Sequence, residues 1–446
     1  MFDSVIRGGT LVTTQGLLAA DLAIADGRIQ MIGPQLPAAK NEIDARGLHV
    51  FPGVIDAHVH FNEPGRADWE GGLTGSHALA AGGGTTFFDM PLNSTPCTTN
   101  RGEFDRKHAA LAATSITDFA LWGGLIPGNL RHMAGLAEAG VVGFKAFMSS
   151  SGLAEFPRAD DLTLLEGMAE AQRLGLPVAV HAESEEITHH LSQRMMAQGR
   201  TGVKDFLAAR PVIAEVEAIG RAVLLAGETK ARLHIVHVSS GRGIATAAEA
   251  RARGVDVTIE TCPHYLFFTA EDVERIGVAA KCAPPIRQAD DQDALWAALF
   301  DGTLDLVASD HSPAPAAQKT GPFFGAWGGI AGVQSTLAVL LEAGYHRRTL
   351  ALPRIAGLLS QNPAARFRIA HKGSLTAGLD ADITLVDLQQ SQRLEHLHQR
   401  HPMSPYLGYP FRGLVRRTIR RGESIFTDGA ITAHSAGQLV RPHRGT

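Results

Sequence analysis

His58 and His60 stand two residues apart at the end of an apolar run that begins at Val54. Side chains two apart on a β-strand project from the same face, so both imidazoles can reach one metal ion. The chain has 20 histidines in 446 residues, and a second His-x-His pair, His396 and His398, lies in a polar stretch with no strand before it. Chance also produces this spacing, so the first pair predicts a metal site only together with ligands from elsewhere in the chain.

Short apolar runs that end in polar residues recur eight times through the middle of the chain, with helical spacing between them. The runs cover residues 54–60, 85–90, 118–122, 141–147, 177–181, 233–238, 255–261 and 304–309. Buried strands joined by helical crossovers form a parallel sheet, and eight such units close a barrel. The sequence therefore predicts an α/β fold built on a (β/α)8 TIM barrel, with a doubly wound open sheet as the alternative.

Helix candidates between these runs include residues 162–174, 212–226 and 243–253. We expect C-terminal caps at Gly175, Gly227 and Gly254, because glycine adopts the left-handed conformation that ends many helices.

The two ends of the chain have a different pattern, which is typical of short alternating strands with hairpin turns such as Asp26-Gly27-Arg28. Because the two ends flank the barrel, we expect them to pair into one small β-sandwich. The predicted domains are residues 1–52 and 369–446 for the two parts of the sandwich and residues 53–368 for the barrel.

Composition limits the function classes. A 45% hydrophobic content gives a large core, and a net charge of -4 provides no broad basic face for nucleic acid. The three cysteines have neither zinc-finger nor redox spacing, which favours a reducing compartment. The sequence has no secretory leader and no apolar run of membrane-spanning length, so we expect a cytoplasmic protein without a membrane partner.

Metal-binding residue types recur at the carboxyl ends of the predicted barrel strands. They are His58 and His60 on the first strand, Lys145 on the fourth, His181 on the fifth, His237 on the sixth, and Asp310 directly after the eighth. Each has an ordinary structural explanation, such as a satisfied interior histidine or a capping aspartate. Active sites of TIM barrels lie at this end, so the joint placement predicts a metal site. Imidazole and carboxylate ligands favour Zn2+ or its first-row neighbours over Ca2+.

Lys145 is the unusual member, because an ammonium has no lone pair and repels divalent cations. Its carbamate, formed with CO2, has two oxygens and a negative charge, so we hypothesise that Lys145 is an N6-carboxylysine that bridges two ions. The predicted ligands are His58, His60 and Asp310 for one ion and His181 and His237 for the other. Two Zn2+ are expected, with Co2+, Mn2+ and Fe2+ as alternatives.

A hydroxide between the two ions is a strong nucleophile, because metal coordination lowers the pKa of water to about 7. It can attack an amide carbon, and Asp310 can take the proton and deliver it to the departing nitrogen. The sequence therefore predicts hydrolysis of an amide-type C–N bond.

These motifs resemble those of the cyclic amidohydrolases, the group that holds dihydroorotases, dihydropyrimidinases (hydantoinases) and allantoinases. Residues 52–60 are similar to the first ligand motif of the family, residues 143–145 to its carboxylated lysine and residues 309–311 to its catalytic aspartate. Residues 378–382 are similar to its sandwich signature. The resemblance spans nearly the whole chain and implies the ligand roles given above and a homotetramer.

Two positions distinguish groups within that family. Asn62 stands where dihydroorotases usually have an arginine for a substrate carboxylate, and Ser150 where dihydropyrimidinases usually have an oxyanion-binding tyrosine. Residues 62–71, 281–287 and 326–332 look like the corresponding segments of allantoinases. The resemblance implies neutral allantoin as substrate, with Asn62 in its pocket; a hydantoinase, dihydropyrimidinase or dihydroorotase reaction on a related cyclic amide is the alternative.

Four further polar residues are ambiguous in the sequence. Arg66 and Arg287 either contact substrate or bond loop groups, and the structural interpretation is favoured. His264 and Asn93 either line the pocket or support their own loops.

Three other functional classes are less consistent with these residues. A Schiff-base lyase would use Lys145 as a neutral nucleophile, but four converging histidines argue against it. Gly241, Gly243 and Glu260 suggest a dinucleotide-binding oxidoreductase, yet Thr246 occupies the third glycine position. A non-catalytic scaffold would not need the metal ligands, yet all six predicted ligand positions are occupied in this sequence.

Overall fold

The computed structural model describes residues 1–443. The strands are β1 (Phe2–Thr13), β2 (Gly16–Ala25), β3 (Arg28–Gly33), β4 (Ala39–Asp44), β5 (His49–Pro52), β6 (Val54–Val59), β7 (Gly84–Asp89), β8 (Asp118–Leu121), β9 (Gly123–Gly124), β10 (Phe144–Phe147), β11 (Val178–His181), β12 (Leu233–Ile235), β13 (Val257–Thr261), β14 (Leu306–Val307), β15 (Ile383–Arg393), β16 (Pro410–Arg420), β17 (Glu423–Thr427) and β18 (Ala430–Ile431).

The α-helices are α1 (Gly72–Ala81), α2 (Arg101–Thr114), α3 (Met133–Ala139), α4 (Asp161–Arg173), α5 (Glu185–Ala197), α6 (Val203–Ala209), α7 (Val212–Thr229), α8 (Gly241–Ala252), α9 (Pro263–Phe267), α10 (Ala270–Ile276), α11 (Ala289–Asp301), α12 (Thr336–Val339), α13 (Leu352–Ala356) and α14 (Asn362–Arg366). The π-helical turns Leu340–His346 and Gly357–Gln361 continue α12 and α13. Short 3-10 turns are Leu130–His132, Gly277–Ala280, Ala316–Gln318 and Val333–Ser335.

Strands β6 to β14 form the barrel, and neighbouring strands in it run parallel. The N–H of Val142 donates to the carbonyl of Leu121 at 2.9 Å where the two parts of the barrel sheet meet. At the other side, Val59 forms a parallel bridge with His311. The sheet therefore closes, which confirms the predicted TIM barrel and rules out the open-sheet alternative. Most residues of the barrel strands are apolar and buried, as a sheet covered by helices requires.

One of the three expected helix caps is wrong. Gly175 and Gly254 have φ of 70° and 93° just after α4 and α8. Helix α7, however, continues through Gly227 to a left-handed cap at Lys230, with φ of 58°. The apolar face of α7 packs against the barrel as far as Ala226, so tertiary packing outweighs the low helix propensity of Gly227.

Strands from both ends of the chain pair in one hydrogen-bonded sheet, which confirms the predicted sandwich. The order is β18-β17-β16-β15-β5-β1-β2-β3, with β4 beside β1. The join is antiparallel between β5 and β15, where Val50 lies opposite Leu385. The turn between β2 and β3 has φ of 52° at Asp26 and 72° at Gly27, as a two-residue hairpin requires.

The segment between β15 and β16, which we call the strap (residues 394–409), reaches the loops at the carboxyl ends of the barrel strands. Arg400 Nε donates to the carbonyl of Glu70 at 2.7 Å, and His401 Nε2 donates to that of Asp68 at 2.8 Å. Ser404 Oγ donates to a second loop at the carbonyl of Ala331 at 2.7 Å. The C-terminal part of the chain therefore helps to fix the open end of the barrel.

At the opposite end of the barrel, a buried ion cluster joins the two units. Lys372 Nζ lies 2.9 Å from Asp118 at the start of β8, and 3.1 and 2.6 Å from Asp380 and Asp382. Burial lowers the pKa of Lys372, but the three carboxylates outweigh this effect and raise it above its usual value. The two aspartates belong to the segment that resembles a sandwich signature, so its acidic residues act at this joint.

Within residues 1–443, none of the helices has both the length and the apolarity that crossing a bilayer would require.

The substitution Lys372→Met should destabilise the fold by about 3–5 kcal/mol, because it removes the cation shared by three carboxylates and leaves Arg421 as the ion-pair partner of Asp118 alone. Urea unfolding measures this loss. Lys40→Met is the control: Lys40 pairs with Asp3 at the surface, 2.7 Å away, so its loss should hardly move the unfolding midpoint. Equal midpoints for the two variants would contradict a stabilising function for the buried cluster.

Candidate metal centre

Three side chains of ligand type meet where the first barrel strand faces the segment after the last. His58 lies on β6, His60 follows that strand, and Asp310 follows β14. The Nε2 atoms of His58 and His60 lie 3.1 and 3.3 Å from Asp310 Oδ1. One ligand atom from each of the three can be chosen so that all lie within 4.8 Å of one another, a spacing that a single cation can bridge.

A second pair of histidines adjoins the first cluster. His181 ends β11 and His237 follows β12, and their Nδ1 and Nε2 atoms are 3.1 Å apart. The ring centroids of His237 and His58 are 5.5 Å apart, so the two groups are continuous. Burial, followed by the positive charge of Lys145, lowers the pKa of His58 well below its usual value. Burial is also the largest cause of the lowered pKa values of His181 and His237, so these imidazoles are neutral and keep a lone pair for a cation.

Lys145 on β10 is fully buried, and its Nζ has no hydrogen-bond partner within residues 1–443. Its Nζ lies 5.1 Å from the ring centroid of Phe147. Burial lowers the pKa of Lys145 to about 8. A buried amine without an acceptor is costly, so this position fits a group that is modified or bound to something else.

The donor set fits a pair of divalent cations. Four imidazoles and a carboxylate converge, and the ring atoms His60 Nδ1 and His237 Nδ1 are buried without a hydrogen-bond partner in the described chain, as is Lys145 Nζ. The structure thus brings together all six residues that the sequence predicts as ligands. The pair His396 and His398 lies apart from them in the strap, with ring centroids 4.7 Å from each other.

Two buried carboxylates orient the histidines from behind. Glu260 on β13 lies 2.9 Å from His58 Nδ1 and 3.1 Å from His234 Nε2. Glu183 lies 2.9 Å from His181 Nε2 and also binds Arg210. Each carboxylate accepts from one ring nitrogen and thereby turns the other nitrogen toward the centre.

The environments of the two carboxylates differ. Burial raises the pKa of Glu260 above its usual value, although the positive charge of Lys145 opposes this effect. Burial also acts to raise the pKa of Glu183, but Arg210 and His181 outweigh it and bring the value down to about 2.

Sequence reasoning missed the function of these carboxylates. It considered Glu260 only as part of a dinucleotide-binding fingerprint, and that alternative is wrong because Glu260 contacts His58 inside the barrel. The available signal was a charged residue within an otherwise uncharged strand, Val257–Thr261. For Glu183, the signal was its position two residues after His181, which places both on one face of an extended segment.

The backbone at the centre is held in an uncommon conformation. His237 and Asp310 have φ of 42° and 47°, in the left-handed region that non-glycine residues rarely adopt. Asp56 helps to fix this geometry: its carboxylate accepts from the N–H of Ser309 at 3.1 Å and from that of His58 at 3.2 Å. Such strain persists where surrounding bonds determine the backbone, and it concentrates at functional sites.

A cavity of about 440 Å³ opens over the centre. Its lining includes five predicted ligands, namely His58, His60, His181, His237 and Asp310. Asn93, Ser150, Arg210, Lys281 and Trp327 also line it. A volume of this size suits a small ring compound.

Other polar candidates lie outside the lining. Asn62 is fully buried, with Nδ2 3.5 Å from the carbonyl of Pro313, and it is not among the lining residues of the described chain. Its contact with substrate stays a prediction. Arg66 and Arg287 donate to the loop carbonyls of Asn93 and Arg210, as the structural interpretation expects. Burial lowers the pKa of His264 to about 4.

Comparisons with known proteins agree on one family. The sequence profile of the amidohydrolase family matches residues 49–425. A protein named Allantoinase from Solibacter usitatus is 63% identical over 100% of this chain and 98% of its own length. Another of the same name from Rubrobacter xylanophilus is 56% identical over 99% and 98%. The solved L-hydantoinase (dihydropyrimidinase) from Arthrobacter aurescens superposes with a TM-score of 0.96 at 34% identity, covering 99% of this chain and 100% of that one.

Glu260→Gln should weaken metal affinity about 10- to 100-fold, because an amide holds the His58 ring less firmly and can donate to it as well as accept. Competition with a chelator measures the affinity. Glu342→Gln is the matched control, since Glu342 is also buried but binds Arg347 and Arg412 instead of a histidine. Wild-type affinity in Glu260→Gln would show that this carboxylate does not orient a ligand.

Proposed function

This chain belongs to the amidohydrolase family, and on that premise we propose that it hydrolyses the cyclic amide bond of allantoin to give allantoate, a step in ureide catabolism. The main support for allantoin as the substrate is the similarity over the whole chain to proteins named Allantoinase. The cavity over the histidine centre supports it, because its volume suits a small ring compound. Asn62 also stands where a dihydroorotase would have an arginine for a substrate carboxylate.

A binuclear metal centre goes with this family, and we propose Zn2+ as the ion at both positions. His58, His60 and Asp310 would hold one ion and His181 and His237 the other. When bound, divalent ions of this kind lower the pKa of water and polarise a carbonyl as Lewis acids. The chain supplies neutral imidazoles for this purpose, because burial and the carboxylates of Glu260 and Glu183 fix their protonation and orientation.

Lys145 is proposed to be carboxylated. Its Nζ lone pair attacks the carbon of CO2, an N–C bond forms, and one proton leaves the nitrogen for solvent, so the product is an anionic carbamate. The lowered pKa of Lys145, about 8 because of burial, is compatible with an available lone pair. The carbamate would give this buried position two oxygen ligands and would remove a positive charge from a centre meant for cations.

Asp310 is proposed as the proton carrier. Its Oδ1 lies within 3.3 Å of both His58 and His60, and its side chain is 13% exposed toward the cavity. A carboxylate at this place can accept the proton released when the ring carbonyl is attacked and return it to the departing nitrogen.

The homotetramer and the cytoplasmic location stay predictions.

A turnover assay with four ring compounds tests the substrate. We expect zinc-loaded enzyme to open allantoin with a higher kcat/KM than hydantoin, dihydrouracil or dihydroorotate. Asn62 stands in place of the arginine of dihydroorotases, Ser150 stands in place of the tyrosine of dihydropyrimidinases, and the similar whole-chain relatives are named Allantoinase. A preference for dihydrouracil or dihydroorotate would overturn the assignment.

Asp310→Asn is the catalytic control in the same assay. It should retain much of the metal, measured by elemental analysis, yet lose nearly all turnover, because an amide cannot carry the proton. Wild-type rates in this variant would remove Asp310 as the proton carrier.

The carbamate has its own test. Enzyme loaded with metal in isotopically labelled bicarbonate should show one carbamate resonance by NMR, and Lys145→Met should lack that resonance and most of the bound metal. Lys204→Met, which alters a lysine that is 79% exposed, should keep both. An unmodified Lys145 in active, metal-loaded enzyme would refute the modification.

A further inference from the structure

Two buried lysines lie beside the cavity without a carboxylate partner. Lys281 is 5% exposed and Lys319 is 6% exposed, and within residues 1–443 neither forms an ion pair. Burying an ammonium without an opposite charge is costly unless its donors are well used. The groups that accept from these lysines therefore show what the two side chains stabilise.

All of these acceptors belong to one short segment of the chain. Lys281 Nζ donates to the carbonyl of Phe324 at 3.0 Å and to that of Ala326. Lys319 Nζ donates to the carbonyl of Gly329. Burial lowers the pKa of Lys281 to about 8 and that of Lys319 to about 7, and an amine carries N–H donors in either protonation state.

This segment, which we call the wall (residues 323–329), forms one side of the cavity. Its residues in the lining run from Phe324 to Gly329. The wall contains neither helix nor strand, so its carbonyls are not paired within regular structure and the lysines provide bonds in their place. Gly329 has φ of 133°, and a side chain there would overlap the carbonyl of Ser312, so the wall is also held closely against the segment after Asp310.

The wall meets a second loop of the cavity rim through two tryptophans. Trp327 lines the cavity, and its ring centroid is 5.0 Å from that of Trp69, with the planes at 76°. At the start of the wall, Lys281 Nζ lies 5.6 Å from the ring centroid of Phe323, and it lies 4.9 Å from that of Phe206 in helix α6. The position of Trp327 therefore depends on contacts at both ends of the wall.

From these contacts we propose that Lys281 and Lys319 are positioning residues that hold the wall, and with it Trp327, as the part of the cavity that selects the substituent on the substrate ring. The proposal rests on the proposed function, because allantoin differs from hydantoin by a ureido arm. The metal centre acts on the ring amide that both compounds share. Discrimination between them must therefore come from cavity residues away from the metal ligands.

The experiment measures kcat and KM for allantoin and for hydantoin in Lys281→Met and Lys319→Met. Each substitution leaves wall carbonyls without donors, so we expect the KM for allantoin to rise by about tenfold or more. The KM for hydantoin and the metal content should change little. Amide hydrogen exchange in residues 320–332, measured without substrate, should become faster.

Lys204→Met is the matched control, because Lys204 is an exposed lysine that pairs with Glu274 at 3.3 Å. It should leave both substrates and the exchange rates unchanged. An equal loss for allantoin and hydantoin in the buried-lysine variants, or unchanged exchange in the wall, would overturn the proposal.

Trp327→Ala changes the wall without altering either lysine, so it remains informative if a lysine variant fails to fold. It should lower the preference for allantoin over hydantoin, and an unchanged preference would also overturn the proposal. If the wild-type enzyme does not open allantoin, the proposed function is refuted, and so is the proposal that the wall selects the ureido arm. The hydrogen-exchange comparison would then still decide whether the lysines hold the wall.

Discussion

Closure of the barrel between its first strand and the segment after its last is the constraint on which the site depends. The N–H of His60 donates to the carbonyl of His311 at 2.8 Å, and the N–H of Ser309 donates to Asp56 at 3.1 Å. These bonds lie on both sides of Asp310 in the sequence and join parts of the chain that are about 250 residues apart. Without closure, nothing would hold Asp310 beside His58 and His60, and the six predicted ligands would not lie together.

Burial gives the assembled centre its chemical properties. It lowers the pKa of His58, His181 and His237 and strengthens the effect of each charge that remains, because the local dielectric is low. The same burial makes unpaired groups costly, so Glu260 and Glu183 each bind a ring nitrogen while Lys145 is left without an acceptor among the described residues. The left-handed backbone at Asp310 adds a cost of about 1–3 kcal/mol, which the surrounding packing must offset.

Three segments that are far apart in sequence form the open end of the barrel together. Trp69 in residues 62–71 contacts Trp327 in residues 326–332, and Lys281 in residues 281–287 bonds the chain just before Trp327. These are the three segments that resemble those of allantoinases. Because they contact one another at the cavity, together they indicate the shape of one substrate site. The strap fixes two of them from outside through Arg400 and Ser404, so the C-terminal unit contributes to the shape of the cavity as well as to the stability of the barrel.

The barrel and the paired termini could be predicted from the sequence, because the spacing of apolar residues along the chain indicates strands and helices. Six candidate ligands could be selected as well, because the alternation of strands and helices in a (β/α)8 barrel places the carboxyl ends of all its strands on one rim. The sequence could not determine the partners of those ligands. In the sequence, Glu260 matches part of a dinucleotide-binding fingerprint. In the folded barrel it lies 2.9 Å from His58, which is 202 residues away in the chain. Local sequence predicts a helix cap at Gly227, but packing extends α7 past this residue to Lys230. Such points emerge only when the chain folds, because hydrogen-bond partners and cavity walls depend on distances between remote residues, and no local pattern in the chain encodes those distances.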